Sequence, residues 1–247
     1  MAKWIDAKVR EKKQWAEGLY SLRFEGHTPE LRAGQFIRVG VEHEDDVLAR
    51  PYSLVNVPGT DHLEIFFNVV EEGPLSPKLA ALEPGDDVKI APKANGFLVI
   101  EEIPETRDLW MVATGTGVGP FISILQAGEL WARYENVMLV YSVSVASELA
   151  YQEELQALVQ QQPERFRYLP IVTREKVEDT IDRRVTTALA DGGLEEAAGV
   201  KISREDSHVM MCGNSAMIAD MFEELDKRGM KKHLRREPGH ITTEKYH

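Results

Sequence analysis

Two domains of different class are what the sequence predicts: a small antiparallel β barrel or sandwich over residues 1–101, and an α/β unit built on a parallel sheet over residues 107–247. Three observations lead there. The chain has 247 residues, 43% hydrophobic and 28% charged, which is enough for two modest cores. Before Glu101, short apolar runs alternate with turn-rich pieces. After Arg107, apolar runs alternate with amphipathic segments of helical period.

In the first half, apolar runs at 35–41, 62–70 and 87–91 are separated by Pro58-Gly59, Gly73-Pro74 and Pro84-Gly85, dipeptides that reverse a chain between strands. One helix is expected at 76–82, where Pro77 at an early helical position leads into Lys78-Leu79-Ala80-Ala81-Leu82. In the second half, strands are expected at 109–113, 137–142, 166–172 and 208–212, with helices at 121–131, 148–161, 185–191 and 215–228. That alternation predicts a parallel sheet covered on both faces. No internal repeat and no low-complexity tract interrupts it.

Composition excludes several function classes. The opening residues Met1-Ala2-Lys3-Trp4-Ile5-Asp6 lack an apolar segment, and no apolar run approaches bilayer length, so a cytoplasmic protein is expected. A monomer is the accompanying expectation. The single cysteine, Cys212, excludes an internal disulfide framework and a cysteine-ligated iron–sulfur cluster within the chain, so any cluster belongs to a partner. A formal net charge of -12 argues against a nucleic-acid binder, which needs excess cations to displace counterions. Against that background Lys231-Lys232-His233-Leu234-Arg235-Arg236 is the densest basic stretch, either a solvated helix end or loop, or a positive patch for an acidic partner.

Two motifs carry chemistry. Trp110-Met111-Val112-Ala113-Thr114 runs into Gly115-Thr116-Gly117-Val118-Gly119-Pro120. A strand that breaks into glycines and restarts as a helix turns backbone N–H groups outward, where a pyrophosphate can settle. The G-x-G-x-G spacing differs from the common dinucleotide fingerprint, and such a turn also serves as a plain connection. Earlier, Arg50-Pro51-Tyr52-Ser53 puts a cation, an aromatic ring and a hydroxyl on extended backbone, with Arg50 and Tyr52 on one side. That strip can neutralise a phosphate, stack a planar ring and hydrogen-bond a ring nitrogen; alone, it also fits an edge strand with a structural tyrosine.

A second strand end, His208-Val209-Met210-Met211-Cys212-Gly213-Asn214, precedes a helix near Ser215. Ligands of open α/β sheets sit beyond the carboxyl ends of strands, so Cys212 and Thr114 are candidates to border one crevice; the plain alternative for Cys212 is a small buried hydrophobe. A 2'-phosphate on a nucleotide needs charge-assisted hydrogen bonds, and Arg174 and Arg184, with Arg183, follow the third strand of this half.

The ordered motifs resemble the ferredoxin–NADP reductase family, particularly its bacterial flavodoxin/ferredoxin group, over nearly the whole chain. The landmarks are Arg50-Pro51-Tyr52-Ser53, Gly73-Pro74-Leu75-Ser76-Pro77, Ala113 through Pro120, His208 through Asn214, and the tail Lys232 through Thr242. The resemblance implies FAD on the N-terminal barrel, with Arg50 at the pyrophosphate, Pro51 among the FAD-binding residues, Tyr52 against the isoalloxazine, and Ser53 near its reactive N5. It further implies flavin phosphates at Pro74-Leu75-Ser76, a contact from Thr116, and the terminal Tyr246-His247 near the adenine. NADP(H) is implied at Gly115, Gly117, Val118 and Gly119, at Ser144, Thr173, Arg174 and Arg184, and along Met210, Met211, Cys212 and Gly213. Ser53, Tyr52 and Cys212 would then be the catalytic set, with no metal.

The activity implied is hydride exchange between NADPH and flavin, with electrons passed to ferredoxin or flavodoxin docked near Lys231, Lys232, Arg235 and Arg236. Two departures stand out: Ser144 occupies a place where relatives carry an arginine, and the chain ends in Tyr246-His247 where relatives end in Tyr-Trp. Other readings are a flavin, ferric-chelate or oxygenase-component reductase of the same superfamily, or a non-catalytic flavin or nucleotide sensor. The electron-transfer subunit of a dihydroorotate dehydrogenase is disfavoured, because that type carries its own cysteine-bound cluster.

Overall fold

The computed structural model describes residues 3–26 and 29–246, the side chain of Tyr246 excepted. Its first half is a six-stranded antiparallel sheet: β1 (Ile5–Ala16), β2 (Leu19–Gly26), β3 (Phe36–His43), β4 (Asp46–Ser53), β5 (His62–Asn68) and β6 (Asp87–Ile90), in the order β4-β3-β6-β1-β2-β5. The ends of this order meet, because Leu54 bridges Ile65 and the Val55 amide donates to the Glu64 carbonyl at 2.9 Å, which closes the sheet into a barrel. Inward residues such as Val9, Leu22, Phe24, Ile37, Val39 and Ile65 fill it, and Leu79 of helix α1 (Ser76–Ala81), with Leu75 just before that helix, joins the same core. The sequence-based runs at 35–41, 62–70 and 87–91 are β3, β5 and β6; β1, β2 and the full length of β4 were not anticipated.

The second half is a parallel sheet of β7 (Asp108–Thr114), β8 (Asn136–Val143), β9 (Phe166–Val172), β10 (Ser207–Asn214) and β11 (Ile241–Tyr246), ordered β11-β10-β7-β8-β9. Strands β7, β8 and β10 are buried along almost their whole length, which explains their unbroken apolar sequences. Alternate residues feed two cores. Leu109, Met111, Leu139 and Met210 pack with α2 (Gly119–Ala127) and α3 (Gln152–Gln161); Trp110, Val112, Val140 and Met211 pack with α4 (Val185–Ala190), α5 (Gly193–Ala198) and α6 (Ser215–Asp226).

Local backbone breaks two of the expected helical stretches. Gly128, left-handed at φ 82°, ends α2, and residues 129–132 form a separate 3-10 turn. The helix expected from residue 148 begins at Gln152, because 146–148 form a 3-10 turn and Tyr151 sits at φ 58°.

The halves share a core. Leu19, Val55 and Phe66 of the barrel pack with Val118, Phe121 and Tyr151. Tyr151 donates to Glu64 Oε1 at 2.7 Å and packs on Trp15 at 4.5 Å between ring centroids, and Ser123 donates to the Asn56 carbonyl at 2.8 Å. Polar and apolar contacts together fix how the barrel faces the sheet. No described helix is long and apolar enough to cross a membrane.

Candidate active site

Strand winding reverses between β7 and β10, so the connections leaving these neighbours diverge and open a crevice at their carboxyl ends. The backbones there are in close contact. A Cβ on Gly117 would stand 2.3 Å from the Cys212 carbonyl oxygen; one on Gly213, at φ 134°, would stand 2.2 Å from Thr114 Oγ1. Neither position tolerates a side chain. Thr114 Oγ1 also accepts the Asn214 amide at 2.9 Å, joining the two strand ends.

From this crevice a cleft of about 1300 Å³ runs between the sheet and the barrel. That volume exceeds the ~300–1,000 Å³ of ordinary small-molecule pockets and suits a long ligand. Tyr20, Asn68, Val70 and Pro77 line its barrel side; Gly115, Thr116, Ser144, Thr173, Arg174 and Arg184 line its sheet side. Six residues singled out in sequence, from four separate segments, therefore meet in one cavity. Arg183 points elsewhere, paired with Asp191 at 2.8 Å, whereas Arg174 and Arg184 make no ion pair among the described residues.

Other sequence candidates have their side chains engaged inside the fold. Val118, Met210, Met211 and Cys212 are fully buried. Leu75 fills the barrel core, and Ser76 Oγ accepts the Val70 amide at 2.9 Å, while Pro74 is exposed. Gly119 is buried at the start of α2. His247 and the side chain of Tyr246 lie outside the described residues.

Arg50, Pro51, Tyr52 and Ser53 end β4 on the barrel. Arg50 and Pro51 are exposed, and Arg50 donates to the neighbouring Ala49 carbonyl at 2.9 Å. The Tyr52 ring packs edge-on against Phe67 at 5.9 Å; burial pushes its phenol up to about 12, opposed by the nearby Arg50 charge. The strip thus presents a cation beside a half-covered ring. Ser53 is buried and donates to Glu244 Oε1 at 2.9 Å, across 191 residues of sequence.

Glu244 was not anticipated. It lies on β11 and pairs in register with Cys212 of β10, so Ser53, Glu244 and Cys212 share one locus at the seam between barrel and sheet. Burial raises the Glu244 carboxyl from 4.5 to about 7, against the opposing pull of the Ser53 hydroxyl. A carboxyl poised there can hold or release a proton at neutral pH.

The basic stretch is a loop rather than a helix end, with Lys232 bridging Ile241. Arg235 pairs with Glu102 at 3.1 Å and lies 4.0 Å from the centroid of the exposed Phe97 ring. Lys231, Lys232 and Arg236 are exposed and make no ion pair among the described residues.

The sequence matches two family models, the oxidoreductase FAD-binding domain over residues 6–95 and the oxidoreductase NAD-binding domain over residues 111–223. Flavodoxin/ferredoxin–NADP reductases of Shigella flexneri and Escherichia coli (strain K12) are each 40% identical over 247 residues, covering 100% of this chain and of theirs. The chain belongs to the flavodoxin/ferredoxin–NADP reductase family. A crystal structure of a ferredoxin NADP+ reductase from Neisseria gonorrhoeae with bound FAD and NADP superimposes with a TM-score of 0.94 at 32% identity, covering 99% of each chain. Within this reductase family frame, the barrel is the FAD-binding half and the parallel sheet the nucleotide-binding half.

The site fits those groups on its own geometry. Its cleft has room for a dinucleotide, its glycine loop is pressed against β10 at Gly117 where no side chain fits, and Arg174 and Arg184 line the same cavity.

Proposed function

We propose that the protein is an FAD-dependent oxidoreductase that exchanges a hydride with NADPH and passes electrons to a ferredoxin or flavodoxin. The FAD half spans residues 1–101 and the nucleotide half residues 107–247. The observation that carries this reading is the Ser53–Glu244 hydrogen bond beside Cys212, which ties the barrel strip to the nucleotide crevice.

Arg50 and Pro51 would meet the FAD pyrophosphate, Tyr52 the ring face, and the turn at Pro74, Leu75 and Ser76 the phosphates, with Thr116 reaching across from the sheet. Gly115, Gly117, Val118, Gly119 and Gly213 would form the NADP cradle, with Met210 and Met211 as its buried underlay. Thr173, Arg174 and Arg184 would hold the 2'-phosphate end, where Ser144 brings no charge. Bound FAD would supply a ring able to take two electrons together and release them singly.

This chain's own residues supply orientation and a proton. Ser53 presents a hydroxyl at the seam and relays to Glu244, whose carboxyl near 7 takes up or returns a proton without leaving the site. Buried Cys212 sets the wall against which a nicotinamide would lie. Cys212 itself belongs to the core that the two halves share.

An acidic carrier fits Lys231, Lys232, Arg235 and Arg236, although Arg235 is partly neutralised by Glu102. Carrier reduction should fall steeply with salt where binding limits the rate; a flat response would remove this patch. The activity is tested by comparing reduction of ferredoxin, flavodoxin, free FMN and ferric chelates under NADPH. Preference for the carriers supports the reading, and turnover confined to free flavin or chelates would refute it.

A further inference from the structure

Three consecutive amides at the end of β8 point at carboxylates. Ser144 and Val145 N–H donate to Glu148 Oε2 at 2.8 and 3.3 Å, and Ala146 N–H donates to Glu175 Oε1. Successive outward amides at a strand end form a ready anion site, and here the chain fills it from within. Glu148 and Ser144 line the cleft together with Arg174 and Arg184. The Arg174 amide donates to the Ser144 carbonyl at 2.9 Å, so the loop bearing Glu148 is stitched to the loop bearing the arginine. Glu148 Oε1 accepts no hydrogen bond among the described residues.

We propose that Glu148 is a coenzyme-selectivity residue, disfavouring a 2'-phosphate and accepting a ribose 2'-hydroxyl, so that the site takes both NADPH and NADH. The proposal rests on the nicotinamide-nucleotide reading of the cleft. Two opposed preferences meet in one cavity: Arg174 and Arg184 attract a dianionic phosphate, while a carboxylate a few residues beyond β8 repels it. β8 is the second strand of this parallel sheet in chain order, and an acid beyond the second strand is well placed to bind a ribose hydroxyl. Ser144 brings no cationic side chain to the loop that holds this carboxylate, which is met there by backbone amides. Asp220, Glu17 and Glu71 also line the cleft and add to its negative side.

Calorimetric titration of FAD-loaded protein with adenosine 2',5'-bisphosphate and with 5'-AMP tests this in wild type and Glu148→Gln. Glutamine keeps an oxygen for the Ser144 and Val145 amides while removing the charge. The variant should bind the bisphosphate about fivefold more tightly and 5'-AMP no more tightly, the size of one partly exposed charge interaction. That gain should shrink toward unity in about 1 M salt. Equal changes for both nucleotides, or a gain indifferent to salt, would overturn the proposal and make Glu148 a loop brace.

A second arm needs no variant: in the wild type, kcat/KM for flavin reduction by NADPH and NADH should lie within about a hundredfold of each other, and near-exclusive use of NADPH contradicts the proposal. If neither nucleotide binds the wild type, the coenzyme reading falls and the proposal with it; failure of discrimination in the variant alone removes only the proposal.

Discussion

Glu244→Gln should abolish a pH dependence of stability that the wild-type protein shows around neutrality. Burial raises this carboxyl from 4.5 to about 7. Below about pH 4.5 the group is protonated in folded and unfolded chains alike, and stability is intact. Between that pH and about 7 only the folded state keeps the proton, so stability falls as pH rises and the loss is complete above the folded value. At ~1.36 kcal/mol per pH unit, the interval from 4.5 to about 7 corresponds to about 3 kcal/mol. Glutamine has no proton to lose and keeps an oxygen for Ser53.

The assay is urea unfolding of both FAD-free proteins at pH 5 and pH 8. The variant should be the more stable at pH 8 by up to about 3 kcal/mol, with the gap closing at pH 5, since other titrating groups cancel in the difference. A gap of equal size at both pH values would refute the reasoning.

Ser53→Ala removes the hydrogen bond that lowers the Glu244 carboxyl, so the neutral-range inflection should move to higher pH while single-turnover flavin reduction slows at least about tenfold with FAD still bound; an unchanged inflection and rate would reject the role of Ser53. Arg174→Ala should weaken NADP+ binding about tenfold and NAD+ binding little, measured by calorimetry; equal losses for both would place Arg174 away from the 2'-phosphate. Tyr151→Phe deletes the 2.7 Å hydrogen bond to buried Glu64 and should destabilise the protein by ~1–3 kcal/mol in urea unfolding. No loss there would mean that the Tyr151–Glu64 hydrogen bond adds nothing to the contact between the two halves.

Much of the nucleotide half was legible because its strands are buried on both faces and read as unbroken apolar runs, with a glycine loop directly after the first. The barrel was harder. Strand β1 carries only Ala7 and Val9 buried among charged residues, and register shifts after Val9 and after Gln14 break its alternation. Its strand character comes from pairing with β2 and β6, which a local pattern does not reveal.

The cleft-lining arginines could be picked out because a phosphate site needs cations after strand ends. Glu244 could not, since it sits in Thr242-Thr243-Glu244-Lys245, an ordinary polar stretch. Its chemistry arises only when β11 pairs with β10 and brings it beside Cys212 and Ser53. Glu148 was likewise hidden, read as the first residue of a helix that begins four residues later.

The most direct test is an absorption spectrum of purified protein incubated with FAD, recorded anaerobically before and after NADPH. A bound, oxidised flavin that bleaches at a turnover-competent rate is the expected result. Protein that takes up no FAD, or that holds a flavin left oxidised by the coenzyme, would contradict the hydride-exchange reading of the seam at Ser53, Glu244 and Cys212.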